Sequence, residues 1–97
     1  MRKLVLLAGA ALTAGFFATS AQAEQRGLDL EWYCQQVYGP GASAFYENRW
    51  DAYTWRCTLG MSMYEISIED VCNVQYGREW YAGLRDRWDA FSWYCER

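Results

Sequence analysis

The decapeptide NRWDAYTWRC, residues 48–57, returns thirty-eight residues later as DRWDAFSWYC, residues 86–95. Laid on itself with that offset, the chain aligns without a gap from Leu28 to Arg97. Cys34 falls on Cys72, Tyr38 on Tyr76, Gly39 on Gly77, Ala44 on Ala82, Trp55 on Trp93 and Cys57 on Cys95. Two cysteines and two tryptophans in register mark an internal duplication. The chain is therefore expected to fold as two copies of one small unit.

The first residues stand outside that pattern. Met1, Arg2 and Lys3 give a positive start, Leu4 to Ala18 form an apolar stretch, and Ala21-Gln22-Ala23 is the small-x-small pattern that signal peptidase cuts. Cleavage is expected between Ala23 and Glu24. No cysteine follows the cut to carry a lipid anchor, and the stretch is too short for a membrane span. The competing reading is an uncleaved N-terminal anchor helix. The remaining chain, 24–97, is read as a single α+β domain made of repeat 1 (28–60) and repeat 2 (66–97), fused into one core because no Pro/Gly/Ser linker separates them.

Losing Arg2 and Lys3 moves the formal charge from −3 to −5 and leaves no lysine and no histidine. An acidic chain without a basic stretch is a poor partner for nucleic acid or an anionic membrane surface, and no membrane insertion is expected after cleavage. A core this small is marginal without staples. Cys34, Cys57, Cys72 and Cys95, an even number in an exported chain, supply them. The duplication favours Cys34–Cys57 and Cys72–Cys95, each worth roughly 3 kcal/mol of loop entropy. Cys34–Cys95 with Cys57–Cys72 is the competing arrangement. A four-cysteine zinc site is disfavoured because the short C-x2–4-C pairs are missing, and no metal or cofactor is expected.

Each copy opens on a helix signal. Asp29 and Ser67 are N-cap residues, and Gly39 and Gly77 stop signals. Leu30, Tyr33, Cys34, Val37 and Tyr38 form an apolar stripe in the first helix, and Val71, Cys72 and Gln75 or Tyr76 one in the second. Strands are expected at 44–46, 53–57, 61–66, 80–84 and 91–95, with turns at 48–51, 60 and 86–89.

The composition argues against catalysis. Without histidine or lysine, and with the cysteines oxidised, no imidazole base, amine or thiolate nucleophile remains. Paired carboxylates are left, but so short a chain offers little room for a cleft around Asp51 and Asp89. No calcium-loop pattern surrounds Asn48, Asp51, Asp86 and Asp89. What is abundant is aromatic rings, 16 of them within 24–97. Trp55 and Trp93, two residues before a cysteine, are read as core rings against the disulfides. Trp50 and Trp88 sit in polar turns between Arg49 and Asp51 and between Arg87 and Asp89. A structural reading makes each ring a cover for the core edge.

The functional reading makes Arg49, Trp50, Asp51, Arg87, Trp88 and Asp89 two equivalent ligand-binding sites. A ring face would stack on a sugar, with the charged groups meeting its hydroxyls. The expectation is a secreted or periplasmic, lectin-like binding module for a glycan or envelope polysaccharide. Its rival is an exported inhibitor or interaction module that meets an envelope or extracellular protein through one loop. The segment Gly39-Pro40-Gly41-Ala42-Ser43, where the copies diverge, is the candidate loop. A structural envelope protein without a small ligand is the third reading.

Overall fold

The structure, a computed structural model, describes residues 24–97; the signal segment read over 1–23 lies outside the described residues. In chain order the elements are β1 (Gln25–Arg26), α1 (Leu30–Tyr38), β2 (Ser43–Tyr46), β3 (Trp55–Leu59), β4 (Ser62–Glu65), α2 (Ile68–Tyr76), β5 (Tyr81–Leu84) and β6 (Trp93–Glu96). They form an α+β architecture of two helices and two three-stranded antiparallel sheets, ordered β1-β6-β5 and β2-β3-β4.

The helix boundaries follow from their caps. Asp29 accepts the amide of Trp32 at 2.9 Å, and the Ser67 hydroxyl accepts that of Asp70 at 3.2 Å, satisfying otherwise orphaned first-turn donors. Gly39 and Gly77 end the helices at φ 111° and 124°, in a region costly for any residue with a Cβ. A first-turn glutamate then ties each helix to its sheet. Glu31 accepts the amide of Ala44 at 2.9 Å, and Glu69, thirty-eight residues on, that of Ala82 at 3.0 Å.

The disulfides are Cys34–Cys57 and Cys72–Cys95, with Cα atoms 5.4 and 5.5 Å apart, and all four sulfur-bearing residues are fully buried. Each joins a helix to the middle strand of a sheet, so the swapped arrangement is not adopted. Around them lie two buried clusters. One gathers Tyr33, Cys34, Ala42, Cys57 and Val71; the other gathers Ile68, Cys72, Trp80 and Cys95. Leu28, Leu30 and Ile66 pack against both, and Val71 of α2 belongs to the first cluster.

The sheets are not confined to one segment each. Under the offset of thirty-eight residues β4 corresponds to residues 24–27, which contain β1. β4 pairs with β3, while β1 crosses to pair with β6, where Glu24 and Arg97 exchange backbone hydrogen bonds of 3.0 Å in both directions. The β1 pairing was not among the strand expectations, because Gln25-Arg26 is too short and polar to show periodicity. Val37 departs from its expected stripe and is exposed; its counterpart Gln75 is polar, and the buried face of both helices is narrower than the apolar run in α1.

A hydrogen bond between side chains joins the helices. The buried Tyr33 phenol donates to the Asp70 carboxylate at 2.6 Å. Burial first, and this hydrogen bond second, hold the phenol well above the ordinary tyrosine value. The fold thus binds that proton more tightly than the unfolded chain does. Stability from this source is intact below about pH 10 and is lost as pH rises beyond it. Tyr33→Phe should therefore cost about 1 kcal/mol at neutral pH yet flatten the loss of stability between about pH 9 and 11; urea midpoints across that range check it. Replacing Cys34 and Cys57 together by alanine should lower unfolding free energy by roughly 3 kcal/mol in chemical denaturation.

Candidate functional site

The repeated phrase forms two turns of the same construction. Asn48 and Asp86 each accept, through Oδ1, the amide two residues on, from Trp50 and Trp88, at 2.9 Å. Asp51 and Asp89 do the same for Tyr53 and Phe91, also at 2.9 Å. The Thr54 hydroxyl accepts the Asn48 amide and lies 3.0 and 2.9 Å from the carbonyls of Asn48 and Asp51. Ser92 occupies the equivalent place, 2.7 and 2.9 Å from the carbonyls of Asp86 and Asp89. Short polar side chains that hydrogen-bond their own backbone rigidify a loop without burying much surface. These bonds also explain why β3 and β6 start at Trp55 and Trp93 rather than at Tyr53 and Phe91 as the alternation implied: Tyr53, Thr54, Phe91 and Ser92 are committed to the turns.

The two turns clasp each other. Ala52 donates its amide to the Arg87 carbonyl, and Ala90 donates to the Arg49 carbonyl, both at 2.9 Å. The Trp55 indole donates to the Ala90 carbonyl and the Trp93 indole to the Ala52 carbonyl, both at 2.6 Å. Ala52 and Ala90 are each 1% exposed. Any larger side chain at this approach would hold the turns apart. Trp55 and Trp93 are half-buried and cross to the opposite turn, so their work is at the junction; Trp93 also packs against the cluster around its neighbouring disulfide.

Trp50 and Trp88 stay outside, 66% and 62% exposed. The guanidinium of Arg49 stands 5.3 Å from the Trp50 ring centre, and that of Arg87 4.9 Å from the Trp88 ring centre, within cation–π range. The clasp brings all six sequence-derived residues onto one region. Their roles divide: Asp51 and Asp89 each commit an oxygen to the turn, whereas Trp50 and Trp88 project. The alternative loop at 39–43 presents Pro40 and Gly41, but its Ala42 is buried in the first core cluster.

Sequence reasoning missed what lies behind the clasp. A cleft of about 460 Å³ is lined by Trp55, Ala90, Phe91, Trp93, residues 27–31 and Ala44. A second, of about 210 Å³, is lined by Ala52, Tyr53, Trp55, Ile66, Ile68 and Trp93. Shifted by thirty-eight residues, every residue of the smaller lining falls on one of the larger, whereas Gly27, Asp29, Glu31 and Ala44 of the larger have no counterpart in the smaller. The signal was present in Leu28-Asp29-Leu30 and Ile66-Ser67-Ile68, where apolar residues flank each cap. Among the described residues no three His, Cys, Asp or Glu side chains gather where a metal ion could be held, and no helix is long and apolar enough to cross a membrane. No protein-family model, curated protein or solved structure matches the chain.

If Asp51 serves the turn, Asp51→Ala should cost about 1 kcal/mol, while Asp51→Asn should be nearly neutral, since Asn48 already does the same work where the second turn has Asp86. Equilibrium unfolding of the two variants distinguishes them.

Proposed function

We propose that this protein is an exported, non-enzymatic binding module that recognises carbohydrate through Trp50 and Trp88. The observation that carries the reading is the display of two indoles, 66% and 62% exposed, on equivalent turns that are themselves braced by hydrogen bonds. An exposed indole gains little for stability, and a surface that offers large rings on rigid supports suits recognition. A pyranose has an apolar face for the indole and hydroxyls for neighbouring polar groups. Arg49 and Arg87 stand beside the rings and supply donors. The turn-bound Asp51 and Asp89 hold the geometry and retain acceptor capacity, since an ionised carboxylate has more lone pairs than one amide uses. Two copies would bind a polymer bivalently, which raises avidity without new contacts.

Export is proposed on the N-terminal segment, and the two disulfides fit an oxidising compartment such as the periplasm or the cell exterior. A glycan array probed with the oxidised protein tests the reading. Binding to a defined sugar class should fall at least tenfold in Trp50→Ala/Trp88→Ala, with the thermal midpoint unchanged, because stacking on each ring contributes on the order of a kcal/mol. Equal binding by wild type and double variant would refute it.

A further inference from the structure

We infer that the 460 Å³ cleft is a separate site for a small organic cation of the quaternary ammonium type. Its volume lies within the range of small-molecule sites, roughly 300–1,000 Å³. Three aromatic residues, Trp55, Phe91 and Trp93, line it together with Asp29 and Glu31. No lysine or arginine lines it.

The hydrogen-bond assignments narrow the ligand further. Both indole N–H groups are committed to alanine carbonyls across the clasp, so the tryptophans offer π-electrons rather than donors. The Ala44 amide is taken by Glu31, and the Asp29 amide by Gln75 at 2.9 Å. The carboxylates already accept backbone hydrogen bonds, Asp29 from Trp32 and Glu31 from Ala44. What they add is negative charge more than directed acceptors. Aromatic residues and negative charge in the lining match a cation that needs no hydrogen bond, for which ring faces supply the main attraction. Arg49 already stands 5.1 Å from the Phe91 ring centre, which leaves Trp55 and Trp93 as the principal rings for a ligand.

The smaller cleft sharpens the contrast. It keeps the aromatic pair but is lined by Ile66 and Ile68 with no acidic side chain. Of these two clefts, the larger alone has the volume and charge for this ligand.

Choline chloride is the probe, and 3,3-dimethylbutan-1-ol, its uncharged carbon isostere, is the control. Titration of the oxidised protein is followed by the indole N–H resonances in nitrogen–proton correlation spectra. Choline should shift the Trp55 and Trp93 signals saturably, and the alcohol should bind about tenfold more weakly, as expected of losing a partly desolvated cation–π contact. Asp29→Asn/Glu31→Gln removes the charge yet retains a capping side chain and an acceptor for the Ala44 amide. It should weaken choline about tenfold by the same reasoning, with the thermal midpoint confirming the fold. Trp50→Ala/Trp88→Ala should leave choline binding intact, so this site and the glycan reading stand or fall separately. Equal affinity for choline and the alcohol, no saturable shift, or shifts confined to Trp50 and Trp88 would each overturn the proposal.

Discussion

Four hydrogen bonds between two turns organise this protein. The backbones of Arg49 to Ala52 and Arg87 to Ala90 meet closely enough to exchange amides for carbonyls, and an indole from each side completes the exchange. A buried amide or carbonyl without a partner costs about 1–3 kcal/mol, so turns that satisfy each other are far more stable together than apart. Self-complementarity gives the repeated phrase a physical reason. Two copies of one turn fit because the donor at Ala52 finds at Arg87 what Ala90 finds at Arg49.

The clasp also sorts the tryptophans. Trp55 and Trp93 lie inside the junction with their N–H groups committed, and so become walls of two clefts. Trp50 and Trp88 are held outside on braced backbone, each with an arginine beside its ring. Residues separated by five positions thereby acquire different surroundings. The proposed glycan sites rest on the outer pair, and the cation cleft on the inner.

Local signals were legible where the chemistry is local. Asp29 and Ser67 cap helices because a short oxygen-bearing side chain reaches the amide three residues on, whatever surrounds it. Gly39 and Gly77 end helices because positive φ is cheap only without a Cβ. Position in sequence could not tell that Trp55 and Trp93 donate across to the opposite alanines, since the partner carbonyls lie 35 and 41 residues away. Nor could it place β1, a two-residue strand whose partner is at the far end of the chain. Val37 looked like a core residue by spacing alone, but burial depends on how much of the helix the sheet covers.

The amino-acid sequence by itself determined the repeated layout, the cysteine supply, both helices with their caps, and the turns around Asp51 and Asp89, because each rests on nearby residues or on a copy in register. The sequence match at an offset of thirty-eight residues also favoured the disulfide pairing that the structure adopts. Only the tertiary structure decided that the turns face one another, that β1 joins β6 while β4 joins β3, and that one of two related clefts is the larger and carries acids. Those outcomes depend on contacts between distant segments, where the energy lies in mutual fit and appears only after the chain has brought both partners together.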